Sequence, residues 1–243
     1  MFNNSELKQR AKEVFKRFGY KLPLLVSFVS GILASGFSSF YSFVSENQEE
    51  FDSLYENEEI APIVAVAMLI ISVLSILWGI LVRYPIMVGT NRFFLEHRVF
   101  GSRFNRLFWA FKDGRYLKSI KTLFIMELKI FLWSLLFIIP GVIKSYQYFM
   151  VPYILAENPN IETKRALELS KEMTKDEKFN IFLLQLSFIG WMLLCAFTCG
   201  IGYIFLSPYM EATFAELYQV MREKAHSLGI SDFEELPGFC PEE

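Results

Sequence analysis

Long apolar stretches alternate with charged segments along the chain. A helix needs about 20 consecutive apolar residues to cross a bilayer core that is about 30 Å thick. Four stretches meet this length: 22–44, 62–82, 120–139 and 179–198. The third contains Glu127 and Lys129 near its centre, whereas 22–44, 62–82 and 179–198 carry no charge. The pattern therefore predicts at least four membrane-spanning helices.

Two weaker apolar segments, 142–156 and 201–221, directly follow the last two strong ones. Each is separated from its predecessor by a short break, Pro140-Gly141 or Cys199-Gly200, and breaks of this kind turn helical hairpins. We therefore predict an all-α polytopic membrane bundle with six transmembrane helices in three hairpins. This membrane domain covers 22–221, and its spans are the four strong stretches and these two segments.

The N-terminal segment 1–21 has the pattern of an amphipathic helix. Apolar residues recur in it at helical spacing, at Leu7, Ala11, Val14, Phe15 and Phe18. Cations occupy the positions between them, which is typical of a helix that lies in the membrane interface. We expect this helix to lie on the cytoplasmic side, with its apolar face toward the acyl chains.

A second basic segment, 83–121, alternates cations with aromatic residues. We expect the cations of both segments to contact anionic headgroups. The candidate lipid-surface residues are Lys8, Lys12, Lys16, Arg17, Arg92, Arg98, Arg103 and Arg106. Aromatics interleaved with cations can also bind nucleic acid by stacking, and a plain elbow between two spans would need no ligand. The flanking spans favour lipid, and nucleic acid is not an expected partner.

The charge distribution fixes the expected orientation. Of the 24 Lys and Arg residues, all but Lys129 and Lys144 fall in segments that the six-span prediction places in the cytoplasm. Such a basic bias sets the inner side of a membrane protein. Both termini, including the polar tail 222–243, are therefore expected in the cytoplasm, and the acidic loop before Pro62 outside.

Composition excludes several classes of protein. The chain is 53% apolar with 13 Gly, 9 Pro and 3 Cys, which excludes collagen-like, disordered and disulfide-scaffold proteins. A net charge of −2 provides no global basic field for nucleic acid. The chain contains no helical pair of metal-binding histidines and no glycine-rich phosphate loop. We expect no enzymatic activity, no cofactor and no metal.

Six polar residues lie within the predicted spans and form a candidate intramembrane cluster: Glu127, Lys129, Lys144, Gln185, Tyr209 and Glu211. A charge at the midplane needs a partner, and depth suggests that Glu211 pairs with Lys129. Two interpretations remain open. The polar groups fix the register of the helices, or they line a path for a proton, an ion or a small polar solute.

The last two predicted hairpins have similar sequences. Trp133, Gly141 and Pro152 of the first match Trp191, Gly200 and Pro208 of the second in order and approximate spacing. A genuine repeat would place equivalent breaks in both hairpins. Chance similarity is the competing explanation, because these residues are common in membrane spans.

Several motifs occur in the order typical of one known family. They include Ile139-Pro140-Gly141, Tyr153-Ile154-Leu155-Ala156, Ser187-Phe188-Ile189-Gly190-Trp191 and Pro208-Tyr209. With these motifs the chain resembles the bacterial integral membrane proteins grouped as domain of unknown function 975. The resemblance implies a multi-span protein of the plasma membrane, and it carries over neither an activity nor site residues.

Two functions from different classes follow from these observations. The first is a non-catalytic membrane protein that binds anionic lipid, a partner protein or a second copy at the cytoplasmic membrane surface. The alternative is a small transporter or channel for an ion, a proton or a small polar solute. A cavity lined by Glu127, Lys129 or Glu211 would favour the alternative.

Overall fold

The computed structural model describes residues 2–35, 46–47, 60–112, 114–198 and 200–239, and these residues form helices and turns without a strand. The helices are α1 Asn4–Phe18, α2 Lys21–Ser35, α3 Ala61–Trp78, α4 Tyr84–Phe100, α5 Arg115–Leu136, α6 Ile138–Gln147, α7 Val151–Glu157, α8 Thr163–Met173, α9 Lys178–Phe197 and α10 Ile201–Ser227. A π-helical turn, Gly79–Arg83, joins α3 to α4, and a 3₁₀ helix, Phe104–Phe111, follows α4. The predicted all-α class is confirmed.

Two helices, α4 and α10, form the centre of the packed region. Helix α10 contacts α1, α2, α4, α8 and α9, and α4 contacts the 3₁₀ helix and α7. Phe93 on α4 and Tyr218 on α10 are among the largest fully buried side chains. Every residue of the short helix α7 is buried. The core therefore lies around the second half of α10 and the whole of α4.

Burial divides the molecule into a packed part and an exposed apolar part. Helix α3 has no buried residue although it is strongly apolar. The buried residues of α5 end at Met126, those of α9 end at Phe188, and those of α10 begin at Leu206. Large apolar side chains beyond these points are exposed, as at Phe137 and Phe197. A continuous apolar surface of this kind indicates contact with a membrane or with another protein.

Two helices are long and apolar enough to cross a membrane: the continuous helix Ala61–Phe100 and α9. Helices α1 and α2 would add a third span if they are one span bent by 112°. The described helices thus are compatible with a membrane protein, but they do not support six spans. Charged residues interrupt the apolar part of α5, and a turn separates the ten-residue helix α6 from α7. The second half of α10 is packed inside the protein.

The predicted repeat of the last two hairpins is wrong. In the first hairpin Gly141 lies inside α6, and Pro152 lies in the first turn of the new helix α7. In the second hairpin Gly200 directly precedes α10 and has a backbone φ of 81°, in the left-handed region. Pro208 lies inside the continuous helix α10. The breaks therefore fall at different positions of the matched sequences, and the similarity is best explained by chance.

Candidate functional site

The amphipathic helix α1 packs its apolar face against the protein. Asn3 caps the helix by accepting a hydrogen bond from the Ser5 amide at 2.9 Å. Leu7 and Ala11 are buried, and the helix contacts α4 and α10. The expectation that this face lies against acyl chains is therefore wrong for its buried residues, because α10 supplies the apolar partner.

Three lysines of α1 line a groove of about 1030 Å³ between α1 and the α9–α10 hairpin. Lys8, Lys12 and Lys16 lie four residues apart, so they share one helix face. Lys8 Nζ donates to the Ser187 carbonyl oxygen at 3.4 Å and lies 4.2 Å from the centroid of the Phe188 ring. Within the described part of the chain, no carboxylate forms an ion pair with these three lysines. We refer to this site as the lysine groove.

The wall of the lysine groove opposite α1 is largely apolar. It is formed by Trp191, Leu194 and Cys195 of α9, by Thr198 directly after α9, and by Gly202, Phe205, Leu206 and Tyr209 of α10. Lys12 Nζ lies 5.8 Å from the centroid of the Tyr209 ring, and the Tyr20 hydroxyl donates to the Phe205 carbonyl oxygen. The groove thus combines a row of cations with an apolar surface that extends toward the turn at the end of α9.

The arginines of the second basic segment lie mostly inside the protein. Glu96 accepts hydrogen bonds from Arg92 and, at 2.8 Å, from Arg106. Arg98 donates to both carboxylate oxygens of Glu216, at 2.9 and 3.2 Å. The prediction that these three arginines face lipid headgroups is therefore wrong, because buried carboxylates bind them. Of the other two candidate arginines, both exposed, Arg103 precedes the 3₁₀ helix and Arg17 is near the end of α1.

The segment after Arg222 packs onto the same region. Glu157 accepts hydrogen bonds from the Tyr218 hydroxyl and from the Gly238 amide, each at 2.7 Å. Arg165 donates to both carboxylate oxygens of Glu235, at 2.6 and 2.8 Å. These contacts fasten the chain after α10 to α7 and α8, so the described part of the predicted tail belongs to the packed region.

An ion pair between Glu177 and Lys224 connects the start of α9 to the end of α10. Lys224 Nζ donates to Glu177 at 2.7 Å, and Asn180 Nδ2 donates to it at 2.6 Å. Burial opposes the charged form of Glu177, but these hydrogen bonds outweigh burial. The pKa of Glu177 therefore lies below its ordinary value of 4.5.

The lowered pKa of Glu177 predicts a loss of stability in acid. The charged Glu177 carboxylate contributes fully to the free energy of unfolding at a pH above its pKa in the unfolded chain. This contribution is lost as the pH falls through its lower pKa in the folded protein. We expect the difference in Tm between wild type and Glu177→Gln to narrow as pH falls from about 7 to about 3. Thermal unfolding in detergent measures it, and a difference that widens toward low pH would contradict the assignment.

The six residues of the predicted intramembrane cluster do not converge. Glu127 accepts a hydrogen bond from the Tyr84 hydroxyl at 2.6 Å, and Gln185 accepts one from Tyr146 at 2.8 Å. Lys144 Nζ lies 4.9 Å from the centroid of the Trp133 ring. Glu127 and Gln185 thus each bind a tyrosine from outside the set, the first between α4 and α5 and the second between α6 and α9, so the six residues do not form one cluster.

The remaining members of that set are also separated. Lys129 is exposed on α5, and Tyr209 lies beside Lys12 in the lysine groove. Glu211 lines a second cavity, and it forms no ion pair with Lys129. The predicted pair is wrong because α10 places Glu211 next to α2 and α4 instead of α5.

This second cavity, about 470 Å³ in volume, lies between α2, α4 and α10. Its polar lining includes Ser27, Arg83, Asn91 and Glu211. Only Glu211 was a candidate from the sequence. Arg83, Asn91 and Ser27 were missed because they are far from Glu211 along the chain and no motif links them. No group of three or more His, Cys, Asp or Glu residues suited to a metal ion occurs among the described residues.

Comparison with known proteins gives one match. The family model described as "Protein of unknown function (DUF975)" matches residues 5–225, well over half of the chain. No curated protein and no solved structure matches the chain.

Proposed function

We propose that this chain, which belongs to the DUF975 family, is a non-catalytic integral membrane protein that holds an anionic lipid at the inner membrane surface. The lysine groove carries the proposal, because it combines an apolar wall with three cations that form no ion pair with any carboxylate that the structure describes. A phosphate headgroup would lie among Lys8, Lys12 and Lys16. An acyl chain would lie along the α9–α10 hairpin.

The dimensions of the groove fit such a ligand. From Phe188, which lies against Lys8, to Thr198 at the end of the groove, α9 rises by roughly 15 Å at 1.5 Å per residue. Trp191 and Phe205 provide aromatic surface along this path. Lys8 is partly buried, whereas Lys12 and Lys16 are exposed. Burial and the neighbouring charge of Lys12 lower the pKa of Lys8, so a bound anion would stabilise its charged form.

The positions of charged residues support a revised membrane topology. Glu211 lines the same cavity as Arg83, and Glu127 binds Tyr84, so these residues lie near one level of the molecule. Beyond this level α3 and the π-helical turn that follows it extend together by roughly 33 Å from Arg83 to Ala61, enough to cross a bilayer core. The α5–α6 and α9–α10 hairpins extend beyond Glu127 and Glu211 by only roughly 15 Å.

We infer from these lengths that α3 crosses the membrane. The span predicted from the sequence at 22–44, of which the structure describes 22–35, supplies the second crossing of this proposal. The α5–α6 and α9–α10 hairpins would then enter from the cytoplasmic side and return. This arrangement keeps both termini in the cytoplasm, as the basic bias requires. It also places Lys8, Lys12 and Lys16 at the level of headgroups, where a cation is stable.

The proposal predicts which lysines hold the lipid. Each surface lysine contributes about 1 kcal/mol to the binding of anionic lipid. Replacing Lys8, Lys12 and Lys16 together by Gln is therefore expected to weaken binding by about 3 kcal/mol, or roughly 100-fold. Titration of fluorescent short-chain phosphatidylglycerol into the full chain in neutral detergent measures the affinity.

A matched triple variant provides the control. Lys164, Lys171 and Lys175 are exposed lysines that lie outside the groove, and their replacement by Gln removes the same total charge. We expect this control variant to bind phosphatidylglycerol like wild type. Equal losses in the two variants would show that binding follows net charge, and the assignment of the groove would then be wrong.

A further inference from the structure

The cavity between α2, α4 and α10 is lined by one acidic and one basic side chain that do not pair with each other. Glu211 and Arg83 both line it. They are not within ion-pair distance of each other, and neither forms a hydrogen bond or ion pair with another described residue. A carboxylate without a partner is costly in a partly apolar site, whereas Arg83 is an exposed residue of the cavity lining, whose guanidinium is accessible to a ligand. The arrangement is therefore complementary to a ligand that carries a charge of each sign.

Two neutral side chains in the cavity also lack partners. Ser27 is 6% exposed and Asn91 is 5% exposed. The Ser27 hydroxyl forms no hydrogen bond, and no hydrogen bond of the Asn91 amide with a described residue is present. Buried polar side chains are almost always hydrogen-bonded. These two side chains share the cavity with Glu211 and Arg83. Their polar atoms are therefore available as hydrogen-bond donors and acceptors for a ligand in the cavity.

The apolar lining limits the shape of the ligand. Phe28, Ile86 and Met87 form part of the wall beside the polar groups. The volume of about 470 Å³ falls within the usual range for small-molecule sites. A compact ligand with two charged ends and a short apolar part fits such a cavity.

We propose that this cavity binds a small zwitterion, with a primary ammonium group at Glu211 and a carboxylate or phosphate group at Arg83. Ser27 and Asn91 complete the hydrogen bonding of the ligand. Free amino acids have this chemistry, and so does the phosphoethanolamine headgroup of a lipid. The site is separate from the lysine groove, since it uses other residues of α10, and the proposal stands independently of lipid binding there.

Calorimetric titration of the full chain in neutral detergent tests the proposal. The free zwitterions are L-alanine and O-phosphoethanolamine, and the single-charge probes are ethylamine, propionate and methyl phosphate. Phosphatidylethanolamine in nanodiscs provides the lipid arm, with phosphatidylcholine, which lacks a primary ammonium group, as its control. We expect at least one primary-ammonium zwitterion to bind at least 10-fold more tightly than every probe of single charge.

The variants connect binding to the cavity. Glu211→Gln and Arg83→Gln should each weaken binding at least 10-fold, and Arg83→Lys should retain part of it. Glu168→Gln, on the exposed surface of α8, should bind like wild type. Thermal unfolding identifies any variant that does not fold. If Glu211→Gln or Arg83→Gln fails to fold, Asn91→Ala and Ser27→Ala, which keep both ionisable side chains, test the site instead. Each should still lower the affinity for the zwitterion, but by less than the loss of Glu211 or Arg83 would.

The outcomes separate the sources of the ligand. Binding of L-alanine or free O-phosphoethanolamine assigns a soluble zwitterion, and binding of phosphatidylethanolamine alone assigns a lipid headgroup. Three results would overturn the proposal: folded wild type that binds none of these ligands, single-charge probes that bind equally well, or cavity variants that keep wild-type affinity. Because the lysine groove is intact in all of these variants, their phosphatidylglycerol affinity reports on the proposed function separately.

Discussion

Replacing Gly89 by Ala is expected to destabilise the protein by about 3 kcal/mol, at the upper end of the cost of overpacking. A Cβ atom at this position of α4 would overlap the carbonyl oxygen of Leu107 and lie 2.7 Å from its carbonyl carbon. It would also lie 3.1 Å from the carbonyl oxygen of Arg106. These are backbone atoms, so no side-chain rotation relieves the overlap, and the 3₁₀ helix must move away from α4. Thermal unfolding in detergent measures the expected fall in Tm.

Gly190→Ala is the matched control for this prediction. Gly190 lies inside α9, and a Cβ atom added there meets nothing within 4 Å. Alanine favours a helix by about 1 kcal/mol relative to glycine, so the Tm of this variant should stay constant or rise slightly. Equal Tm values for Gly89→Ala and Gly190→Ala would contradict the close packing of α4 on the 3₁₀ helix.

Glu96→Gln is expected to lower the free energy of unfolding by about 3–5 kcal/mol, because a buried ion pair then loses one of its partners. The Glu96 side chain is 1% exposed and binds both Arg92 and Arg106. Neutral glutamine cannot balance the two guanidinium groups that meet at this buried position. The same substitution should loosen the contact between α4 and the 3₁₀ helix, because Arg106 belongs to the latter. Chemical unfolding or the Tm in detergent measures the loss.

The exposed pair between Glu6 and Arg10 provides the comparison. Arg10 Nη2 lies 2.6 Å from Glu6 Oε1, but the Glu6 side chain is 57% exposed and the Arg10 side chain is 42% exposed. Such surface pairs contribute about 0–1 kcal/mol, so Glu6→Gln should change the Tm little. If Glu96→Gln were as mild as Glu6→Gln, the two arginines could not depend on the buried carboxylate, and their place inside the protein would be in doubt.

The helices of this fold were predictable wherever a continuous pattern defined them. The periodic apolar residues of 1–21 correspond to α1, and the apolar runs correspond to α3 and α9. The number of spans was not predictable from charge. A hairpin that enters and returns leaves the same cations on the inner side as one that crosses twice. The depth that we propose for the hairpins rests on contacts such as that of Tyr84 with Glu127, which the sequence does not show.

Only the α1 side of the lysine groove was predictable from the sequence. The spacing of Lys8, Lys12 and Lys16 places them on one helix face, but the groove also needs the residues from Trp191 onward, which lie more than 170 residues away in sequence. The pair of Arg92 and Glu96 has the helical spacing of four residues and could be found from the sequence. Arg98 and Glu216 are 118 residues apart, and no local pattern links them.

Cysteine labelling at the hairpin ends tests the central claim, the position of the hairpins in the membrane, most directly. In a chain without its natural cysteines, Phe137→Cys and Thr198→Cys mark the two ends, and Ser53→Cys marks the acidic loop. A membrane-impermeant maleimide added to intact cells is predicted to label Ser53→Cys and to leave both hairpin ends unlabelled. Labelling of Phe137→Cys or Thr198→Cys from outside would show that the hairpin crosses the membrane, and would contradict this account.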